Sequence, residues 1–154
     1  MSIRLAKPND IPAILNLLEE ILAVHHKGRP DIFKASGSKY SQEQLAEILE
    51  DPKQFLFVYE QDNQILGHLF CQIQEAQSSV LNPIKTLFID DLCVSHTARG
   101  QGIGEKFIAF AKAYAKEHGC YNLTLDVWAD NDGAVRFYER LGFQPQKMRM
   151  EEIL

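Results

Sequence analysis

The apolar positions change period several times along the chain, and each change marks an element. Ser2–Ala6 is short and alternating, as a strand is, and Pro8-Asn9-Asp10 then supplies a turn and an N-cap, with Pro12 tolerated in the first helical turn. Ile11, Ile14, Leu15, Leu18, Ile21 and Leu22 recur at intervals of three and four, which predicts a helix from Ile11 to about Val24. His25 to Lys39 is polar, contains Gly and Pro, and reads as a long loop. Ser41 with Gln44 three residues on is a capping-box signature for a second helix, ending near Leu49 before Asp51-Pro52. Phe55–Glu60 and Ile65–Ile73 are β-rich runs separated by Gln61-Asp62-Asn63-Gln64, a hairpin by its turn chemistry, and Thr86–Val94 is a third such run.

Beyond Gly100–Gly104, Ile103, Phe107, Phe110, Ala111 and Tyr114 share a helical face that His118-Gly119 terminates. Leu123–Trp128 predicts a strand, Asp132–Leu141 a helix ended by Gly142, and Lys147–Ile153 a last strand. No repeat, linker or low-complexity stretch interrupts the order β-α-α-β-β-β-α-β-α-β, which predicts one α/β domain over residues 1–154: a mixed sheet with helices on its faces.

Composition narrows the class. A length of 154 residues with 45% hydrophobic residues suits a single domain that needs no metal or disulfide to hold a core. Sixteen basic against 21 acidic side chains leave a formal charge of −5, which disfavours nucleic acid as a partner. Cys71, Cys93 and Cys120 are few, odd in number and widely spaced, which points to a reducing cytoplasm. No apolar run reaches the roughly 18 residues of a membrane span, and Pro8-Asn9-Asp10 breaks the N-terminal segment before a signal-peptide core forms.

The chemistry concentrates in Thr86–Lys106, where a strand runs through a short polar loop into a basic, glycine-spaced turn that opens a helix. Glycines let backbone approach a ligand, and the first-turn N–H groups and helix dipole favour an anion, to which Arg99 adds a full charge. Two other phosphate loops do not fit. A P-loop needs a lysine and a hydroxyl directly after the second glycine, but Glu105, Lys106 and Phe107 follow Gly104. The dinucleotide fingerprint belongs after a first strand, and Gly100-x-Gly102-x-Gly104 comes late in the chain.

Arg99-Gly100-Gln101-Gly102-Ile103-Gly104 resembles the [RQ]-x-x-G-x-[GA] signature of the GCN5-related N-acetyltransferase (GNAT) superfamily, preceded by the strand end Asp91-Leu92-Cys93-Val94. A second block, Asn131-x-x-Ala134-x-x-Phe137-Tyr138-x-x-x-Gly142-Phe143, is similar to a later helix of that family. The resemblance implies a mostly antiparallel central sheet splayed at strands 4 and 5, with helices on both faces. It further implies acetyl-CoA as cosubstrate, held at the pyrophosphate by residues 99 to 104. The pantetheine arm would lie along Leu92, Cys93 and Val94, and Asn131, Ala134 and Phe137 would stand beside the cofactor. No metal is expected.

For acetyl transfer to a primary amine, the resemblance places Tyr138 near the thioester sulfur as the acid. Asp90 and Asp91 are candidate bases. Adjacent strand residues face opposite sides, so one of the two is expected to face the site. A similarity to diamine N-acetyltransferases favours Asp90, and the alternative is that both merely pair with neighbouring basic groups. Cys93 reads as a small buried residue. His25, His26 and Asp31 lie where the resemblance places acceptor-binding residues, with a solvated, flexible loop as the alternative, and Trp128 ends a strand near the expected splay, either packed in the core or forming a wall of the acceptor pocket. The acceptor is expected to be a small polyamine-like molecule or a protein N-terminus, with direct attack in a ternary complex. A non-catalytic acyl-CoA-binding module on the same fold is the alternative. The oligomeric state stays open, although dimers are common among proteins that resemble this one.

Overall fold

The computed structural model describes residues 2–154. Among them five strands form one sheet in the order β1-β2-β3-β4-β5: β1 (Ser2–Leu5), β2 (Gln54–Gln61), β3 (Gln64–Glu75), β4 (Lys85–Val94) and β5 (Asn122–Leu125). The first three pairings are antiparallel and β4–β5 is parallel. Helices α1 (Ile11–Gly28) and α2 (Gln42–Glu50) cover one face, and α3 (Ile103–Glu117) and α4 (Asp132–Arg140) flank the other. The mixed sheet with helices on both faces is therefore as expected.

Alternation along the strands builds two cores. Ile14 and Leu18 of α1 and Leu45 of α2 meet Leu56, Val58 and Phe70 on one face of the sheet. Phe107, Ile108 and Ala111 of α3 meet Phe57, Leu69, Leu87 and Ile89 on the other. Each fully buried side chain of this kind contributes about 1.5–3 kcal/mol. The local signals act as their chemistry dictates. Ser41 Oγ accepts from Gln44 N–H at 3.1 Å, and Gln44 Oε1 accepts from Ser41 N–H at 2.8 Å. In the β2–β3 hairpin, Asp62 (φ 52°) and Asn63 (φ 61°) take the left-handed conformations a two-residue turn needs, which Asp and Asn tolerate.

Three expectations are corrected. Helix α1 runs to Gly28 rather than to about Val24, so His25 and His26 are helical and not in a loop. Basic groups in a last helical turn suit the dipole, and Arg29 N–H closes the turn on His25 C=O at 2.8 Å. Strand β5 stops at Leu125, which leaves Trp128 beyond it. Residues 147–153 form no strand, because an alternating segment becomes one only by pairing, and this segment has no backbone partner among the described residues.

The splay comes from register. Pairing of β4 with β5 runs from Thr86↔Asn122 to Ile89↔Leu125 and then ends, while β4 continues to Val94 against β3. Gly67 of β3 sits opposite Val94, and a Cβ built there would lie 2.7 Å from the Cys93 carbonyl oxygen. Gly67→Ala is thus expected to destabilise the fold by about 1–3 kcal/mol through overpacking. Scanning calorimetry should show a midpoint several degrees lower, and an unchanged midpoint would mean that β4 yields freely at its end.

Candidate active site

The glycine turn grows out of the end of β4. Ser95 N–H donates to Leu66 C=O at 2.8 Å, and Glu20 of α1 accepts from the His96 backbone N–H at 3.2 Å and contacts its Nδ1 at 3.0 Å. Ala98 and Ile103 are buried and pin the two ends of the turn, while Arg99, Gly100, Gln101 and Gly102 are exposed between them. Gly100 (φ 83°) and Gly102 (φ 75°) are left-handed, and nothing lies within 4 Å of a Cβ built on either. Glycine is needed there for the backbone path, and the outer side of the turn is open. Gly102 is the N-cap of α3 and supplies no side-chain acceptor, so the first-turn N–H groups have no side-chain cap.

Gly104 has a different task. A Cβ there would lie 3.0 Å from the Phe137 ring, so α4 packs directly against the first turn of α3. Arg140 reinforces this contact by pairing with Glu105 at 2.9 Å. The Ile103 side chain faces the core, which leaves only its backbone for a ligand. Asn131 Oδ1 accepts from Ala134 N–H at 3.1 Å, so it caps α4.

Beyond Ile89 the free edge of β4 leads straight to that turn, and here the acidic pair behaves unexpectedly. Phe70 pairs with Asp91 and Cys71 with Ile89, leaving Asp90 as the extra residue of a β-bulge. The bulge resets the alternation, so both carboxylates lie on the α1/α2 face, against the expectation that only one could. Asp90 Oδ2 accepts from Tyr40 Oη at 2.6 Å and pairs with Lys39 Nζ at 3.0 Å. Asp91 Oδ2 meets Nε2 of the buried His68 at 2.6 Å, and the His68 Nδ1 is without a hydrogen-bond partner among the described residues. That geometry suits the Nε2–H tautomer, which donates to Asp91 and leaves an unshared lone pair rather than a bare N–H.

Burial alone would push the Asp91 carboxyl up, but the hydrogen bond from His68 and the nearby Lys39 ammonium outweigh it and hold the group below the usual carboxylate range. Tyr138 lies half-buried between Phe137 (centroids 5.1 Å) and Phe143 (5.6 Å). Its phenol is pushed up to about 12 by burial and by the charge of Asp91, so it stays protonated at neutral pH. Cys93 is buried with Sγ 3.4 Å from Leu17 O, and burial pushes its thiol up to about 12, the state of a packed thiol and not of a nucleophile.

Beside the C-terminal end of α1, His25, Phe33 and Trp128 form a continuous aromatic wall. His25 stacks on Phe33 at 4.9 Å, and Trp128 meets Phe33 edge-on at 5.0 Å. These three line a cleft of ≈ 200 Å³ with Asp130, Asn131, Lys27 and Arg29. Burial pulls His25 below the ordinary histidine value. Two sequence candidates flank this cleft without lining it. His26 Nδ1 bonds to the Phe33 carbonyl at 2.8 Å and fixes the loop, and the exposed Asp31 pairs with Arg29. Sequence reasoning missed Phe33, Tyr40, Lys39, Asp130 and His68. Only His68 left a local trace, as a polar residue on the core face of an apolar strand.

Comparison with known proteins accords with this geometry. Residues 18–143 match the profile of the Acetyltransferase (GNAT) family. An uncharacterized N-acetyltransferase of Bacillus subtilis, YhfO, is 30% identical over 94% of this chain and 90% of its own length. A probable glucosamine 6-phosphate N-acetyltransferase of Drosophila melanogaster is 26% identical over 93% of this chain and 60% of its own. The crystal structure of a mutant of the BH1408 protein from Bacillus halodurans superposes with a TM-score of 0.95 at 29% identity, covering 100% of this chain and 99% of that one.

Proposed function

The chain belongs to the acetyltransferase (GNAT) family, and from that premise we propose that it acetylates the primary amine of a small molecule with acetyl-CoA as donor. The observation that carries this reading is the course of β4. Past its last pair with β5 it runs unpaired on that edge from Asp90 to Val94 and ends at an open turn with uncapped N–H groups. An extended thiol arm tipped by a pyrophosphate fits that sequence of donors, with no metal required. Bound there, acetyl-CoA supplies an acyl carbon activated by a thiolate leaving group.

The chain's own groups then divide the proton work. The aromatic wall of His25, Phe33 and Trp128 receives the acceptor and keeps water from its amine. Asp91, close enough to Tyr138 to raise its phenol and held ionised by His68, takes the proton the attacking nitrogen sheds, directly or through a water. Backbone N–H groups near Val94 hold the negative charge that develops on the carbonyl oxygen. As the C–N bond forms and the C–S bond breaks, Tyr138 donates its proton to the departing sulfur. Asp90, tied by Lys39 and Tyr40, anchors the segment before α2 and is not the base. This reverses the order favoured by the resemblance to diamine N-acetyltransferases.

Release of free thiol from acetyl-CoA across a panel of small amines, amino acids and N-terminal peptides tests the reading, with turnover expected on small primary amines. Turnover on peptides alone would shift the acceptor class. Tight acetyl-CoA binding with no turnover on any amine would favour a non-catalytic acyl-CoA-binding module. Tyr138→Phe is expected to lower kcat by about 10²-fold, the usual size of a lost general acid, with the acetyl-CoA Kd unchanged by calorimetry. A fully active variant would remove Tyr138 as the proton donor.

A further inference from the structure

The cleft beside the C-terminal end of α1 holds one charge of each sign that no neighbour answers. Its lining carries two cations, Lys27 and Arg29, and one anion, Asp130, beside the wall of His25, Phe33 and Trp128. Arg29 is committed, since its guanidinium pairs with Asp31 at 2.8 Å and also with Glu151. Neither Lys27 nor Asp130 forms an ion pair among the described residues, with the other or with any neighbour. The Asp130 carboxylate also rests directly on Gly28, the last residue of α1, where a built Cβ would overlap its Oδ2. That is the negative end of the helix dipole, where a cation is favoured and a lone carboxylate is not. An ammonium seated between Asp130 and the aromatic faces satisfies both.

The cleft also adjoins the reacting centre. A single ring, His25, lies within range of both the Asp91 and the Asp130 charges, which puts the cleft next to the candidate base. At ≈ 200 Å³ it is smaller than the roughly 300–1,000 Å³ of drug-sized sites, which suits a molecule the size of an amino acid. An ammonium for Asp130, a carboxylate for Lys27, an apolar stem along the rings and a primary amine at the Asp91 end describe one molecule. We propose that Lys27 and Asp130 determine acceptor specificity, and that the acceptor is a free α-amino acid whose side chain ends in a primary amine. This rests on the acetyl transfer proposed above and names its substrate. The head group docks its α-ammonium on Asp130 and its α-carboxylate on Lys27, which keeps the α-nitrogen away from the thioester. The side-chain nitrogen then forms the C–N bond as the C–S bond breaks, its proton passing to Asp91 and the Tyr138 proton to sulfur. A head group of one sign leaves a cleft charge unanswered, whereas the zwitterion answers both.

Initial rates of thiol release are compared for free lysine, for cadaverine, which lacks only the carboxylate, and for ω-aminohexanoate, which lacks only the α-ammonium. Free lysine should show the highest kcat/KM, by about tenfold over each analogue, with the difference carried by KM; that is the size of one charge-assisted hydrogen bond. Asp130→Asn should abolish the advantage over ω-aminohexanoate and keep that over cadaverine, and Lys27→Gln should do the reverse. Gly28→Ala should act as Asp130→Asn does, because the new methyl displaces the carboxylate without removing it. The ratio retained in each variant shows that its site is still formed. NMR of the product should place the acetyl group on the side-chain nitrogen. Cadaverine turned over as well as free lysine would overturn the proposal in favour of a dicationic acceptor, and acetyl on the α-nitrogen would overturn it too. Equal turnover of all three would sink the head-group assignment and leave acetyl transfer standing. No turnover on any amine would remove both.

Discussion

Asp91→Asn is expected to lower kcat by about 10²–10³-fold, the range for loss of a positioned general base, while the acetyl-CoA Kd stays within a factor of two. The substitution keeps the shape of the side chain and a carbonyl oxygen for the 2.6 Å contact with His68 Nε2, so the fold should survive it. Asp90→Asn removes an acceptor from Tyr40 and Lys39 and should act mainly through the segment before α2, with the smaller loss in kcat. The pH dependence is a second readout. Asp91 lies below the usual carboxylate range when folded, so its contribution to stability is present above the unfolded carboxyl value and is lost as pH falls through the folded one. Tyr138 keeps its proton up to about 12, so the wild-type kcat should not fall on the alkaline side until far above neutrality. Steady-state kinetics over a pH series, run on both aspartate variants, decides the assignment. If Asp90→Asn proves the more damaging, the base is Asp90.

Gly102→Glu should abolish acetyl-CoA binding, raising Kd by more than about 10²-fold, and it has two separable effects, the first on stability and the second on binding. A left-handed backbone at φ 75° costs a residue with a Cβ about 1–2 kcal/mol. The new carboxylate would also project into the open space outside the turn, toward the bound pyrophosphate, and oppose the positive end of α3. Gly102→Ala isolates the first effect: the turn is already left-handed without ligand, so the strain should lower the thermal midpoint and leave Kd nearly unchanged. Isothermal titration of both variants gives the comparison, with thermal midpoints to confirm folding. An unchanged Kd in Gly102→Glu would remove this turn as the pyrophosphate site.

What the sequence disclosed, and what it hid, follows from the range of the interactions. The capping box at Ser41, the Asp62-Asn63 hairpin and the Gly100–Gly104 turn were legible because each is settled within a few residues. The last turn of α1 was not, because His25, His26 and Lys27 look like loop residues unless the dipole at a helix end is weighed against their polarity. The bulge at Asp90 has no compositional mark. It arises from the pairing of β4 with β3, and it alone decides that two neighbouring carboxylates share a face. His25 and Trp128 were singled out in the sequence, but the wall they form was not, since Phe33 joins them only when the tertiary fold brings three segments together. The alternation at Met148 and Met150 predicted a strand that does not form, because a strand is a relation between two segments and this one has no backbone partner among the described residues.

The close approach of Phe137 to Gly104 ties the fates of two positions that lie far apart in sequence. A methyl at 104 would need the Phe137 ring to give by a few tenths of an ångström, and anything larger must be met by volume given up at 137, so the two sites constitute a single unit of variation. A lineage could drift at either position only by passing through a strained intermediate or by changing both together. Tyr138 is the immediate neighbour of Phe137, so such drift would move the proton donor whenever it moved the start of α3. Glycine at 104 therefore acts as a lock on divergence, and relatives that have lost it should show a smaller residue than Phe at the position matching 137.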